Sequence, residues 1–392
     1  MHMWTTFPRR HLAAVSTVWL TLSLWGIEAI AVPKDSAAAN VLVVTTTIQA
    51  AVDAAQPGDI IVVPPGTYYE SVTVTTDHLT IVGGHDAVLD AGNRIGIRAG
   101  TGERTVLDGV RVCPPRTVQH FTLQGLTIRN ARFAGVFLIG VHGYHLTGTH
   151  YRDNPVYGPF PVCSTQGRID FNVVEGGDAA GRDVSLDAGI YVGDSDTVTV
   201  RHNTVTHHAI GVEIENTVQA VVQDNLLRDN TGGILVVVLP GLDQPRTEHV
   251  RLERNLVLEN NAPNPVSADS DDPLGRLPTG TGILNLGGDR VVIRHNSVLG
   301  HASVGVAIVQ NPFAALDPRI EPYPDANEVR GNVILRNGRS PDPVRATTPG
   351  VDIVYDGTGV GTCFAHNLFG TAFPPGVLEC GQGPAENDNR GR

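Results

Sequence analysis

The feature that most constrains the fold is a repeat of about 22 residues in the middle of the chain. Gly189, Gly211 and Gly233 are spaced by this interval, and Asn203 and Asn225 follow the first two of these glycines by fourteen residues. A self-similarity of this length indicates a solenoid, in which each copy packs against its neighbours. A β-propeller blade, the alternative, requires a period of about forty residues. The short period therefore favours a solenoid.

Apolar residues alternate with other residues in three short runs within each copy. In one copy they are Ile190, Val192, Val198, Val200 and Val205. Since the side chains of a strand point alternately to its two faces, each copy predicts three short strands whose apolar faces point the same way. Three strands per copy predict an all-β, single-stranded parallel β-helix of roughly ten coils. The repeated asparagines are expected at a corner, where left-handed backbone favours Asn and stacked amides can form a ladder.

Composition and charge exclude several classes of function. The chain has 392 residues with a formal net charge of −12, so it has no excess of cations with which to neutralise nucleic-acid phosphates. Lys34 is the only lysine, which leaves no lysine later in the chain to form a Schiff base. We expect neither a nucleic-acid partner nor a cofactor.

The N-terminus has the layout of an export signal. Arg9 and Arg10 precede an apolar run over 12–25, and Ala29 to Ala31 forms a small-residue cleavage site. We therefore predict a signal peptide over 1–31, which directs export by either the general or the twin-arginine route. The mature protein is expected to be secreted or periplasmic, without a later membrane span. An uncleaved N-terminal anchor is the alternative. The predicted organisation continues with a linker over 32–44, a β-helix domain over 45–380 and a tail over 381–392.

Four cysteines in an exported chain predict two disulfides. Three pairings are possible, and we favour Cys113 with Cys163 and Cys363 with Cys380. Their spacing matches no zinc motif, so no metal site is predicted.

The start of the repeat region resembles a known family. The stretch "TIQAAVDAAQPGDIIVVPPGTYYESVTV", 47–74, is similar to the opening of right-handed parallel β-helix proteins of the pectate-lyase-like superfamily. Later segments such as "DAGIYVGDS" and "TGGILVVVLPGL" resemble an exported bacterial subfamily of β-helix repeat proteins. The resemblance implies a right-handed coil. A short helix within 45–59, with Ile48, Val52 and Ala55 on one face, is predicted to cap its first turn.

Insertions into the repeat predict the position of a site. They occur at the two corners that flank the first strand of each copy. The outer face of that strand is therefore expected to form the floor of a walled groove. Phe137, Phe160, Tyr191 and Glu213 occupy its outward positions. Flat rings in such a row are typical of a sugar-binding surface, although burial of the two phenylalanines under the side loops is the alternative.

The candidate chemistry follows from these outward residues. We predict Asp187, Tyr191 and Glu213 as catalytic, since neighbouring carboxyls suit acid–base work on a glycoside, and a tyrosine beside an arginine suits a lyase or epimerase. The predicted substrate-binding residues are Phe137, Phe160, Asp194, Arg201 and Glu215.

The predicted partner is a polysaccharide or cell-envelope glycan. The motifs of polygalacturonase-like hydrolases do not occur in order in this sequence. The Asp-Pro-His motif of mannuronan epimerases does not occur at all. A non-catalytic structural or adhesion module and a periplasmic accessory protein for metal-enzyme maturation are the alternatives.

Overall fold

The computed structural model describes residues 39–178, 181–376 and 380. The predicted signal peptide, most of the predicted linker and the predicted tail lie outside these residues. The strands form three long parallel sheets, which we name A, B and C.

Sheet A has twelve strands and sheets B and C have eleven each. Sheet A consists of Val41–Val43, Ile60–Val63, Thr80–Gly83, Val118–Gln124, Val141–Thr147, Thr165–Asp170, Asp196–Arg201, Val221–Gln223, Arg251–Glu253, Val292–Arg294, Glu328–Arg330 and Cys363–Ala365. Sheet B consists of Gly66–Tyr69, Ala87–Asp90, Thr127–Arg129, His150–Arg152, Val173–Glu175, Thr204–Thr206, Leu226–Arg228, Leu256–Leu258, Ser297–Leu299, Val333–Leu335 and Leu368–Phe369. Sheet C consists of Val72–Val74, Ile97–Ala99, Ala134–Ile139, Tyr157–Val162, Ser185–Gly193, His208–Glu215, Gly232–Val237, Thr281–Leu286, Val304–Val309, Val351–Tyr355 and Ala372–Phe373.

The chain visits sheets A, B and C in turn, and each such circuit is one coil of a parallel β-helix. From Ile60 onward the described residues form eleven coils, close to the roughly ten predicted from the period. A short antiparallel hairpin, Thr105–Leu107 with Val110–Val112, lies between the second and third coils. The first strand of each sequence copy lies in sheet C.

The predicted inward residues form the core. Ile190, Val192, Val212 and Ile214 are fully buried, and they stack on their counterparts in adjacent coils. Full burial of such a side chain stabilises a fold by about 1.5–3 kcal/mol. The parity of the sequence therefore identified the inner face.

The repeated glycines are required by space inside the coil. A Cβ at Gly189 would lie 2.3 Å from Cγ1 of Val205, and one at Gly211 would lie 2.7 Å from the carbonyl oxygen of Gly233. Both contacts are shorter than a real Cβ tolerates, so this position admits only glycine.

The asparagines form the expected ladder, but their backbone differs from the prediction. Nδ2 of Asn203 donates to Oδ1 of Asn225 at 3.0 Å, and Asn225 donates to Asn255 in the same way. The left-handed residue is the one before each asparagine: His202 has φ 53° and Asp224 has φ 56°. The asparagine itself lies inside the corner, where its amide satisfies backbone groups that the turn leaves unpaired.

A short α-helix, Ile48–Ala54, precedes the first complete coil. Thr47 caps it by accepting from the Ala50 amide at 3.1 Å, and the Glu70 carboxylate accepts from the Ile48 amide at 2.7 Å. Ile48 and Val52 are buried against the solenoid core. The helix thus covers the apolar end of the coils.

Both favoured disulfides are present, Cys113–Cys163 and Cys363–Cys380. The first fixes the hairpin insertion to the end of a sheet C strand. No helix among the described residues has the length and apolar character needed to cross a membrane.

Candidate functional site

Long insertions rise from both edges of sheet C, as the sequence predicted. Residues 100–117, 238–250 and 310–327 connect sheet C to sheet A, and we name them the CA wall. Residues 259–280 and 336–350 connect sheet B to sheet C, and we name them the BC wall. The two walls and the outer face of sheet C enclose a cavity of about 850 Å³.

Hydrogen bonds tie the insertions of each wall to one another. In the CA wall the Arg111 amide donates to the Gly241 carbonyl at 2.8 Å, and the Gly241 amide donates to Asp317 at 3.0 Å. In the BC wall Nε of Arg345 donates to the Gly275 carbonyl at 2.9 Å. Each wall is therefore a connected unit, although its insertions are far apart in sequence.

Three carboxyl groups lie on the cavity floor. Asp187 and Glu213 are hydrogen-bonded to each other, and Glu215 is two residues further along the same strand as Glu213. Only 4% of Glu213 and 7% of Glu215 is exposed, and Tyr191 is the register partner of Glu213 in the preceding coil. The structure thus brings together all three residues that were predicted as catalytic. Glu215, which was predicted as a substrate-binding residue, lies beside them.

Burial controls the protonation of this cluster. Loss of hydration raises the pKa of Asp187 to about 7 and that of Glu215 to about 7. Loss of hydration and then the negative charge of Asp187 raise the pKa of Glu213 well above its ordinary value of 4.5. The raised pKa favours the protonated form of Glu213, which can then donate a hydrogen bond to the Asp187 carboxylate.

Two tyrosines hold the neighbouring carboxyls in place. The Tyr157 hydroxyl donates to Oδ2 of Asp187 at 2.5 Å, and the Tyr191 hydroxyl donates to Oε1 of Glu215 at 2.7 Å. Burial, followed by nearby negative charge, raises the pKa of both tyrosines well above 10.0. The Tyr191 hydroxyl therefore stays protonated and acts as a hydrogen-bond donor.

Asp194 acts through an arginine of the CA wall. Its carboxylate lies 2.5 Å from Nη2 of Arg104 and accepts from the Gln244 amide at 3.0 Å. Arg104 lines the cavity, whereas Asp194 lies behind it. Among the described residues, the buried Nε of Arg104 has no hydrogen-bond partner, so one donor is free beside the carboxyl cluster.

The aromatic row differs from the predicted sugar-stacking surface. The Phe160 and Tyr191 rings are parallel to within 8° with centroids 4.2 Å apart, and Phe160 also contacts Phe137 at 5.7 Å. The guanidinium of Arg98 lies over the Phe137 ring at 5.3 Å. Of the three aromatic residues in this row, Phe160 and Tyr191 line the cavity and Phe137 does not. Since the Phe160 and Tyr191 rings stack on each other, the faces that they share are not available to a sugar.

Arg201, predicted as a substrate-binding residue, does not line the cavity, so the structure does not bring it together with the other predicted site residues. It belongs to sheet A, where its guanidinium contacts Asp170 at 3.3 Å. The sheet A strand turns away from sheet C at the corner, and its outward side chains face another side of the solenoid.

The repeat pattern did not indicate Tyr157, Arg104 or Asp272, which all line the cavity. Tyr157 precedes the glycine position, and the other two come from insertions without periodicity. Their only sequence signal is that they occur next to or within insertions.

One group of described residues has potential metal ligands within 4.8 Å of one another, namely Cys113, Cys163 and Asp194. Both sulfurs belong to a disulfide and are therefore not free to bind a metal ion.

Comparisons with known proteins concern the whole solenoid. The A-module of the mannuronan C-5 epimerase AlgE4 from Azotobacter vinelandii is 15% identical, with a TM-score of 0.48, over 85% of this chain and 94% of that one. An alginate lyase from Paenibacillus sp. str. FPU-7 is 14% identical, with a TM-score of 0.47, over 87% of this chain and 98% of that one. The DFA-IIIase from Arthrobacter chlorophenolicus A6 is 14% identical, with a TM-score of 0.48, over 83% and 94%. No curated protein matches the sequence.

A family model provides the assignment. The model described as "Right handed beta helix region" matches residues 116–316, which is more than half of the chain. These residues contain the glycine and asparagine repeat, seven of the described coils and most of the cavity floor. The chain therefore belongs to the right-handed β-helix family.

Proposed function

We propose that the protein binds a glycan in the sheet C cavity and acts on it by acid–base chemistry, with Glu213 as the acid. The observation that carries the proposal is the Asp187–Glu213 pair on the floor of a walled cavity, where loss of hydration raises the pKa of both carboxyl groups. Titratable groups perturbed in this way are concentrated at functional sites.

Glu213 and Glu215 lie on the same face of one strand, because residues two apart on a strand point the same way. Glycosidases use two carboxyl groups, one as acid and one as base or nucleophile. In this arrangement Glu213 donates its proton to the leaving oxygen, while the Glu215 carboxylate, hydrogen-bonded by Tyr191, serves as base or nucleophile.

A tyrosine-based lyase or epimerase reaction has less support. The raised pKa of Tyr191 and its hydrogen bond to Glu215 oppose removal of its proton. Arg104 remains available for a different role, because its side chain lines the cavity beside the cluster and can contact a substrate oxygen.

The test is product formation from purified protein with neutral and acidic oligosaccharides, followed by mass spectrometry. A positioned acid contributes about 10²–10⁴-fold to a rate, so Glu213→Gln should lower turnover by at least about 10²-fold. Glu175→Gln, on the exposed side of sheet B, is the matched control and should retain full turnover. Equal turnover in wild type and Glu213→Gln would reject the assignment of the acid.

Glycan binding without chemistry is the second candidate. It is favoured by the completeness of the internal network, in which Tyr157 and Tyr191 already satisfy Asp187 and Glu215. Binding of a glycan without product, in both wild type and Glu213→Gln, would select this alternative. An accessory role in metal-enzyme maturation has no observation in its favour among the described residues.

We also propose that the protein works outside the cytoplasm. Two disulfides persist in oxidising compartments such as the bacterial periplasm or the extracellular space. Mass spectrometry of the mature N-terminus would test cleavage after the predicted signal peptide, and an intact N-terminus would contradict it.

A further inference from the structure

We propose that the second half of the cavity binds a hydrocarbon chain, so that the ligand is an amphiphilic glycan such as a glycolipid. The inference deepens the proposed function and rests on it for the sugar part of the ligand. The carboxyl cluster would contact the sugar, and the hydrocarbon would extend along the later coils.

The chemistry of the cavity floor changes at Glu213. Its register partners in the next four coils are Leu235, Leu284, Ala307 and Val354. A parallel row, Val237, Leu286 and Val309, follows Glu215. All of these residues face outward from the solenoid and line the cavity. At about 4.8 Å per coil, the four-residue row extends for about 14 Å.

The two walls meet above this aliphatic floor. The guanidinium of Arg276, from the BC wall, lies 5.2 Å from the centre of the Phe313 ring, from the CA wall. Each residue lies in a short 3-10 helix, Pro273–Arg276 and Pro312–Leu316. Because the walls rise from opposite edges of sheet C, this contact bridges the face. A narrow, flexible chain fits beneath such a bridge better than a pyranose chain.

The aliphatic floor also disfavours a sugar on physical grounds. Each hydroxyl moved from water to apolar surroundings without a hydrogen-bond partner costs about 1–3 kcal/mol in proteins. A methylene group gains by the same transfer. The buried carboxyl groups of the floor lie around Glu213, and Asp356 at the far end is exposed to solvent. An occupant of the cavity therefore needs a polar end at Glu213 and an apolar portion along the aliphatic rows.

The experiment measures affinity against chain length. N-phenyl-1-naphthylamine, a neutral apolar fluorophore, reports occupancy, and hexyl, octyl and decyl β-D-glucosides displace it below their micelle concentrations. Each added methylene is expected to tighten binding up to about 4-fold, equivalent to about 0.8 kcal/mol. Displacement constants that do not change with chain length, or the absence of fluorophore binding, would overturn the proposal.

Variants locate the binding site. Leu284→Asn places an amide on the floor and Ala307→Phe fills the space, and each should weaken decyl glucoside at least 10-fold. Leu256→Asn is the matched control, because Leu256 is 47% exposed on the outside of sheet B and should leave affinity unchanged. Circular dichroism checks that each variant folds. If one of the two floor variants does not fold, the other still tests the proposal. Equal weakening by Leu256→Asn would place the binding site elsewhere.

The same assay on Glu213→Gln separates this inference from the proposed function. Glu213→Gln should retain the chain-length dependence even if no glycan product is found in any assay. Loss of the dependence in Leu284→Asn, together with its retention in Glu213→Gln, would support this inference whatever the outcome of the turnover assay.

Discussion

Replacement of Glu215 by glutamine is predicted to stabilise the protein at alkaline pH, although it removes a candidate catalytic group. Glu215 is buried and its pKa is about 7 in the folded protein, compared with an ordinary value of 4.5. The folded state therefore binds more protons than the unfolded chain between these two values. Since stability falls with pH wherever the folded state binds more protons, the wild type loses stability from about pH 4.5 to about pH 7.

The size of this loss follows from the shift. Each pH unit of difference is worth 1.36 kcal/mol, so a rise from 4.5 to about 7 corresponds to about 3 kcal/mol. Glutamine has nearly the same shape, does not ionise and can still accept the hydrogen bond from Tyr191. The difference in unfolding free energy between Glu215→Gln and wild type should therefore rise by about 3 kcal/mol, in favour of the variant, from pH 4 to pH 8.

Urea unfolding followed by far-ultraviolet circular dichroism at pH 4, 5, 6, 7 and 8 measures this difference. Glu175→Gln, exposed on sheet B, is the control and should change by no more than about 1 kcal/mol across the range. A difference for Glu215→Gln that is flat with pH, or that favours the wild type at pH 8, would refute the claim that the cavity floor shifts this pKa.

Three further predictions concern the scaffold and the limits of the site. Asn225→Ala should cost about 2–4 kcal/mol in urea unfolding, because it removes an amide that accepts from Asn203 and donates along the ladder; a cost below about 0.5 kcal/mol would contradict this. Replacing Cys113 and Cys163 together by serine opens a closed loop with a sequence separation of 50 and should cost about 4 kcal/mol, whereas unchanged stability would show that the disulfide does not constrain the unfolded chain. Arg201→Ala should leave glycan affinity and turnover unchanged, and a loss of either would return this residue to the site.

Periodicity explains how much of the scaffold the sequence predicted. Ile190, Val212 and the glycines beside them obey a rule that depends only on neighbours two residues or one coil away, because strand side chains alternate and coils stack in register. The same parity placed Tyr191 and Glu213 side by side on the outer face. The prediction placed the left-handed backbone at Asn203 and Asn225, whereas the structure has it one residue earlier, at His202 and Asp224. Both residues of each pair lie at the same corner, and the repeat alone does not distinguish between them.

Local sequence rules are sufficient to predict the solenoid, its inner and outer faces, the corners at which insertions occur and the row that contains Tyr191 and Glu213. The composition of the site depends on contacts that form only in the folded chain. Arg104 reaches Asp194 across 90 residues and Arg276 reaches Phe313 between opposite walls, and no local rule relates such insertions to one another. The rings of Phe160 and Tyr191 stack because adjacent coils bring them within 4.2 Å of each other. The pKa of Glu213 is raised because the floor is buried, and the two walls cover the floor only after the insertions have converged on one face of the solenoid.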